Sequence, residues 1–150
     1  MKKILVINGP NLNLLGKRNH KIYGKLSLDN IIKHMKDKAK SLEFELCFYQ
    51  SNHEGNIIDK LQQSSIDYDC IIINPGALTH YSIGIRDCIE SIKIPVIEVH
   101  ISNIFDREDF RSRSVIAPVS SGHISGFGYK GYIIALEAAK NIMEGYDGTS

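Results

Sequence analysis

The stretch ILVINGPNLNLLGKRNHKIYG, residues 4–24, joins a strongly apolar run to a long polar loop. The run Ile4 to Ile7 is typical of a strand that is covered on both faces of a sheet. The loop that follows is rich in glycine and asparagine and ends with Arg18 and Tyr23. A connection this long within a compact domain is usually functional or disordered, and its regular pattern argues against a linker. We therefore expect this loop to contribute to a binding site.

Apolar strands alternate with amphipathic helices along the rest of the chain. Continuous runs of valine, isoleucine and leucine separated by helices predict a parallel sheet with helices on both faces. The whole chain, residues 1–150, is predicted to be one catalytic α/β domain with a doubly wound, flavodoxin-like sheet of five strands in the order 2-1-3-4-5. The predicted strands are residues 4–7, 44–49, 70–73, 96–101 and 115–119, and the predicted helices are 28–42, 54–63, 81–91 and 129–143.

Composition and charge exclude several classes of partner. The 18 Lys and Arg residues nearly balance the 17 Asp and Glu residues, so the chain has no basic field that would attract nucleic acid. No apolar run approaches the roughly 18 residues that a membrane span needs, and the first apolar run is too short for a secretory signal. The 3 cysteines show neither CxxC nor metal-ligand spacing, which is typical of reduced thiols. We expect a cytoplasmic protein with no nucleic-acid or membrane partner.

The candidate site residues follow the predicted strands. In a doubly wound sheet, ligands bind beyond the carboxyl ends of the strands, where the strand order reverses. The loops after the first, third and fourth strands are therefore the ones that matter. Their polar residues are Asn11, Arg18 and Tyr23, then Asn74, Thr79 and His80 with Asp87 further along the helix, and finally Glu98, His100, Ser102, Arg107 and Arg111.

Two of these pairs suit proton transfer. Glu98 and His100 are two residues apart in a strand and so face the same side of the sheet, where the carboxylate would fix the tautomer of the imidazole and favour its protonated form. Arg18 beside Tyr23 would favour the phenolate, which could act as a base. Taken alone, a histidine in a strand is more often structural.

Other patterns are weaker signals. Arg107 and Arg111 are spaced to share one face of a short helix and could bind a carboxylate or hydroxyls, although this spacing is also common on solvated faces. The turn GFGYKG, residues 126–131, matches the GxGxxG of dinucleotide-binding proteins. It lies in the last strand–helix unit, and no acid follows that could hold a ribose, so we predict a structural turn. No HxH or HxxxH spacing occurs, so no metal site is predicted, and no role is assigned to His20, His34, His53 or His123.

Six motifs in order along nearly the whole chain resemble those of the type II 3-dehydroquinate dehydratases. One departure is that Asn19-His20 stand where the family usually has Glu-Pro, so loop closure is expected to cost more conformational entropy. The motifs are residues 8–16 with Arg18 and Tyr23-Gly24, then QSNHEG (50–55), NPGA with Thr79-His80 (74–80), EVHISN (98–103), REDFR (107–111) and GFGYKGY (126–132).

The resemblance implies a reversible dehydration of 3-dehydroquinate to 3-dehydroshikimate in the shikimate pathway. It further implies an anti elimination through an enolate, without Schiff base, metal or cofactor. Tyr23 would be the base, Arg18 would support it, and Asn11 would hold the enolate oxygen through a water. His100, oriented by Glu98, would protonate the leaving hydroxyl.

The resemblance also implies how substrate and subunits are held. The backbone N–H groups of Ile101 and Ser102 would bind the substrate carboxylate, and Asp87 would reach in from a neighbouring subunit of trimers grouped into a dodecamer. The ring hydroxyls would be bound, or their site supported, by Asn74, His80 and Arg111, with Arg107 supporting the tyrosine.

Two other functions remain open at the level of sequence. A flavodoxin-like module could bind a flavin or a nucleotide phosphate at the first loop or at GFGYKG. An NAD-dependent reductase could use the same glycine turn. Both alternatives leave the Glu98–His100 and Arg18–Tyr23 pairs without a function.

Overall fold

The fold is built on a five-stranded parallel sheet. The computed structural model describes residues 1–17, 19–23 and 25–145, and for His20 and Tyr23 it describes the backbone alone. The strand order β2-β1-β3-β4-β5 confirms the predicted flavodoxin-like topology, with the reversal between β1 and β3. The strands are β1 (Lys2–Asn8), β2 (Phe44–Gln50), β3 (Cys70–Asn74), β4 (Val96–His100) and β5 (Gly122–Ser125).

Helices cover both faces of the sheet and enclose two apolar cores. On one face α2 and α5 pack together over Ile4, Val6 and Ile72, and on the other α3 and α4 pack over Leu5 and Ile7. Successive residues of β1 thus feed opposite cores, as a strand covered on both sides requires. Among the described residues, no helix combines the length and apolar character needed to cross a bilayer. The helices are α1 (His20–Tyr23), α2 (Leu28–Leu42), α3 (Glu54–Asp67), α4 (Ile83–Ser91) and α5 (Lys130–Met143).

The helix α2 begins and ends where the sequence predicts. The Ser27 hydroxyl accepts from the Asn30 N–H at 3.2 Å, and the Asn30 side chain accepts from the Ser27 N–H at 3.3 Å. This reciprocal capping box satisfies two donors that the first turn would otherwise leave unpaired. Ile31, Met35 and Ala39 form its buried stripe. The other boundaries differ slightly, since α3 continues to residue 67 and α4 begins only at residue 83.

The predicted fifth strand, residues 115–119, is wrong. The strand β5 is Gly122–Ser125, and Ala117–Val119 form a 3₁₀ turn. Pro118 lies in this turn and has no N–H to donate to a neighbouring strand. The backbone N–H groups of Ile116 and Ala117 instead donate to the Ser114 hydroxyl at 3.1 and 2.9 Å. The apolar run therefore packs into the core as a turn, and a less apolar segment supplies the strand.

The loop after β1 lies directly against the loop after β3. Gly9 donates its N–H to the Asn74 carbonyl at 2.8 Å. A Cβ at Gly9 would be only 2.5 Å from the carbonyl oxygen of Pro75. Gly76, with φ +61°, completes the turn on the other side. The close approach of these two backbones forms one wall of the site described below.

Replacing Gly9 with alanine is expected to lower the free energy of unfolding by about 1–3 kcal/mol, because backbone atoms must move to admit the methyl group. Urea unfolding measures the effect. The matched control is Gly55→Ala in the first turn of α3, where an added Cβ has nothing within 4 Å. Alanine favours a helix by up to about 1 kcal/mol over glycine, so the control should be neutral or slightly stabilised. Equal stability of the Gly9→Ala variant and the unsubstituted protein would contradict the close packing.

Candidate active site

A cavity of about 130 Å³ lies at the carboxyl ends of β1, β3 and β4, beside the reversal of strand order. This is where ligands bind in doubly wound sheets. A more open depression of about 620 Å³ lies at the other end of the strands, near their amino ends, and is lined by residues such as Lys2, Asp69 and Lys93. It contains none of the predicted site residues. The predicted residues that line the smaller cavity are Asn11, Asn74, His80, His100, Ile101, Ser102, Arg107 and Arg111.

Of the other predicted residues, the structure describes only Glu98 and Asp87 in full. Glu98 is fully buried behind His100 and does not line the cavity. Asp87 is exposed on α4 and does not line it either. Arg18 lies outside the described residues. Tyr23 is the last residue of α1, and its side chain is not described. The roles of Arg18 and Tyr23 therefore stay predictions.

Glu98 and His100 form the hydrogen-bonded pair that their spacing in β4 predicts. His100 Nε2 contacts Glu98 Oε2 directly, and both side chains are buried. Burial alone would raise the pKa of Glu98, but hydrogen bonds, above all from His100, hold that pKa well below its ordinary value. A carboxylate only accepts, so Nε2 of His100 must be the donor, and Nδ1 is left as the nitrogen that can exchange a proton with a ligand.

Two hydroxyls to which the sequence assigned no role hold the Glu98 carboxylate in place. The Thr79 hydroxyl donates to Oε2, and the Ser114 hydroxyl lies 2.8 and 2.9 Å from the two carboxylate oxygens. Ser114 directly precedes the segment 115–119, for which the sequence wrongly predicts a strand. Thr79 precedes His80 in the 3₁₀ turn after β3. These contacts fix a buried charge that would otherwise be costly, and with it the orientation of His100.

His123 is a neighbour of this pair that the sequence reasoning missed. Its Nδ1 lies 3.2 Å from Glu98 Oε1, and its ring centroid is 5.6 Å from that of His100. The parallel register of β4 and β5 places His123 opposite Glu98. A correctly placed fifth strand would have revealed this pairing.

The group formed by Glu98, His100 and His123 does not fit a metal ion. Its three candidate ligand atoms lie within 4.8 Å of one another. However, ligands about 2.0–2.2 Å from one ion must be well separated from each other, whereas Glu98 and His100 are in direct hydrogen-bond contact. Glu98 is also occupied by the hydroxyls of Thr79 and Ser114. The arrangement suits a fixed imidazole rather than a metal centre.

The arginines line the cavity from two separate turns, so the predicted single helix is wrong. Arg107 follows the 3₁₀ turn Ile104–Asp106, and Arg111 ends a second 3₁₀ turn, Asp109–Arg111. Nε of Arg111 lies 2.6 Å from Oε2 of Glu108, and this contact lowers the pKa of the Glu108 carboxyl. Two guanidinium groups on one wall favour an anionic ligand.

His80 is oriented as a hydrogen-bond acceptor. Its Nδ1 lies 2.8 Å from the Arg113 carbonyl oxygen, which only accepts, so Nδ1 must carry the hydrogen. Burial lowers the pKa of His80, which favours the neutral ring. Nε2 is then free to accept a hydrogen bond from a hydroxyl in the cavity, because a neutral imidazole donates from one nitrogen only.

Comparison with known proteins identifies the family of this chain. A family model described as Dehydroquinase class II matches residues 2–140. The chain belongs to this family. Among the relatives of this chain, the 3-dehydroquinate dehydratase of Caldicellulosiruptor bescii is 59% identical over 145 residues, covering 96% of this chain and 100% of that protein. That of Halothermothrix orenii is 54% identical over 144 residues, covering 96% and 97%.

Solved structures of the class II dehydroquinases share the fold. The type II dehydroquinase of Butyrivibrio crossotus superposes with a TM-score of 0.90 at 51% identity, covering 92% of this chain and 97% of that one. The type II dehydroquinase of Propionibacterium acnes gives a TM-score of 0.90 at 38% identity, covering 94% and 97%. These similarities extend over nearly the full length of each chain.

In this class II dehydroquinase the sequence GFGYKG forms a turn, as predicted. Gly126 and Gly128 have φ +94° and +61°, values that side chains rarely adopt. The N–H of Gly128 donates to the Ile101 carbonyl at 3.0 Å, so the turn supports the end of β4. No strand follows α5 among the described residues, so the turn opens no βαβ unit of the dinucleotide-binding kind.

Proposed function

We propose that the cavity at the ends of β1, β3 and β4 is the active site in which the chain dehydrates 3-dehydroquinate to 3-dehydroshikimate. This reaction of the shikimate pathway is the activity of the family to which the chain belongs. The observation that carries the proposal is the buried hydrogen bond between Glu98 and His100. His100 lines the cavity together with seven other predicted residues. A cytoplasmic location fits a small-molecule metabolic enzyme.

His100 acts as the general acid. Hydroxide is a poor leaving group at neutral pH, so the departing tertiary hydroxyl needs a proton as its C–O bond breaks. Nδ1 of His100 supplies that proton, the hydroxyl leaves as water, and the enolate electrons form the conjugated double bond. Glu98 remains a carboxylate and stabilises the imidazolium before the transfer, as its lowered pKa permits.

Tyr23 acts as the base that removes the proton alpha to the ketone. A phenol needs to be a phenolate for this step, and bringing its pKa from about 10 to about 7 requires roughly 4 kcal/mol. Arg18 supplies part of that stabilisation, supported by Arg107 from the cavity wall. Asn11 holds the enolate oxygen through a water. Its backbone, at φ 69°, is fixed by an N–H hydrogen bond to Asn52 at 3.0 Å.

The substrate is held by groups spread around the cavity. Its carboxylate binds the backbone N–H groups of Ile101 and Ser102, with the Ser102 hydroxyl as an additional donor. Its ring hydroxyls bind Asn74, His80 and Arg111, and the neutral acceptor Nε2 of His80 suits a hydroxyl donor. Asp87, exposed on α4 and away from this cavity, serves the site of a neighbouring subunit in trimers grouped into a dodecamer.

The proposal is tested by adding purified protein to 3-dehydroquinate and following the ultraviolet absorbance of the conjugated enone. Turnover is expected without any added metal or cofactor and should be unaffected by a chelator. The reason is that no residue of the proposed mechanism acts through a metal ion or a cofactor. The rival flavin-binding module predicts a yellow preparation. Absence of turnover together with bound flavin would contradict the proposal in favour of that rival.

A further inference from the structure

Tyr132 joins the ends of the two strands between which the sheet reverses. It lies in the first turn of α5 and is completely buried. Its hydroxyl donates to Asn8 Oδ1 at 2.6 Å and accepts from Asn74 Nδ2 at 2.9 Å. Asn8 and Asn74 are paired in register at the carboxyl ends of β1 and β3. A single phenol thus connects the strand that precedes the first loop to a residue of the cavity wall.

The donor and the acceptor of each hydrogen bond that links Gly76, Asn74, Tyr132 and Asn8 can be assigned. The backbone N–H of Gly76 can only donate, and it lies 3.1 Å from Asn74 Oδ1, so this atom must be the amide oxygen. Nδ2 of Asn74 therefore faces the phenol oxygen and donates to it. The phenol's own hydrogen then goes to Asn8 Oδ1. Burial raises the pKa of Tyr132 above its ordinary value, so the phenol keeps this hydrogen throughout the working pH range.

These hydrogen bonds leave one N–H of the Asn74 amide without a partner among the described residues. An amide nitrogen has two hydrogens, and Tyr132 takes one of them. Among the described residues, Nδ2 has no second hydrogen-bond acceptor, and Asn74 lines the cavity although only 2% of it is exposed. The second N–H is therefore available to a ligand at a fixed orientation, with no side-chain rotation left to restrict when the ligand binds.

We propose that Tyr132 is a positioning residue that fixes the Asn74 amide so that one of its N–H groups donates to a ring hydroxyl of the substrate. This inference deepens the proposed function and rests on it. Tyr132 touches no substrate and acts through Asn74. The hydroxyl assigned to Asn74 is one that stays on the ring. Such a hydroxyl is held equally in substrate and transition state, so loss of this contact should change KM rather than kcat.

The test compares Tyr132→Phe, Asn74→Ala and the double variant by steady-state kinetics with 3-dehydroquinate. Phenylalanine keeps the packed ring and removes only the hydroxyl. Tyr132→Phe is expected to raise KM about tenfold, the size of one lost hydrogen bond, with kcat changed less than about threefold. The matched control is Tyr129→Phe, because Tyr129 is half-buried, stacks on His34 at 5.1 Å and makes no hydroxyl hydrogen bond among the described residues. Its kinetics should be unchanged.

The double variant separates positioning from a general structural role. If Tyr132 acts through Asn74, adding Tyr132→Phe to Asn74→Ala should not raise KM further. An unchanged KM in Tyr132→Phe, or an undiminished effect in the Asn74→Ala background, would overturn the inference. If Tyr132→Phe does not fold, Asn8→Ala takes its place. It removes the acceptor of the phenol hydrogen, which can then compete with the Gly76 N–H for Asn74 Oδ1 and disturb the orientation of the amide. An unchanged KM in soluble Asn8→Ala would then overturn it.

Failure of this inference differs from failure of the proposed function. Normal turnover by the unsubstituted protein with an unchanged KM in Tyr132→Phe overturns the role of Tyr132 alone. Absence of turnover by the unsubstituted protein contradicts the proposed function and removes the role of Tyr132 with it.

Discussion

Replacing His100 with alanine is expected to lower kcat for the dehydration of 3-dehydroquinate by about 10³-fold, because general acid catalysis typically contributes 10²–10⁴-fold. Without the imidazole, the tertiary hydroxyl must leave as hydroxide or take its proton from water. The variant also leaves the buried Glu98 carboxylate without its strongest donor, although Thr79 and Ser114 still hold it. The rate is measured by the enone absorbance, and circular dichroism establishes that the variant is folded.

His34→Ala is the matched control for this variant. His34 is exposed on α2, and its ring contacts Tyr129 rather than any cavity residue. Its kcat should equal that of the unsubstituted protein. A folded His100→Ala variant that keeps more than a tenth of the kcat would remove His100 from the role of general acid.

Replacing Tyr23 with phenylalanine is expected to lower kcat by at least about 10³-fold, because the substitution removes only the oxygen that accepts the substrate proton. The proposed mechanism assigns this proton transfer to no other side chain, so water would have to act as the base. The proposed substrate contacts of Asn74, His80 and Arg111 do not involve Tyr23, so KM should change little. Steady-state kinetics with the same enone assay separates the two constants.

The matched control is Tyr68→Phe. Tyr68 follows the end of α3 and lies just before the amino end of β3, whereas the cavity lies at the carboxyl ends of the strands. It should leave both constants unchanged. If Tyr23→Phe turns over 3-dehydroquinate at nearly the normal rate, Tyr23 is not the base and another group must be sought in the first loop.

Where local chemistry dominates, the sequence predicts the structure well. The strands β1 and β3 are built on the continuous apolar runs of residues 4–7 and 70–73, which have few alternatives to a buried strand. For α2, the stripe of Ile31, Met35 and Ala39 agrees with the Ser27 cap, so two independent signals specify one helix. The rule that ligands bind at the carboxyl ends of the strands predicts where the site residues lie, and eight of the predicted residues line one cavity there.

The predictions were wrong where tertiary contacts override local pattern. The segment 115–119 looks more like a strand than Gly122–Ser125, yet Pro118 and the hydrogen bonds to Ser114 make it a turn. Misplacing β5 also hid His123, which its register places beside Glu98. Likewise, Ser114 reaches the Glu98 carboxylate from 16 residues away in sequence. No spacing rule connects such residues, because their proximity arises only when the chain folds.

In the proposed mechanism this site removes water from 3-dehydroquinate by acid–base catalysis without a covalent imine. The most direct test is to incubate the protein with 3-dehydroquinate and sodium borohydride, remove the excess reagents, and measure kcat and the intact mass. Both should be unchanged, because the proposed mechanism uses no lysine that would form a Schiff base for borohydride to reduce. Loss of turnover, accompanied by a mass increase equal to the reduced substrate joined to a lysine, would contradict it.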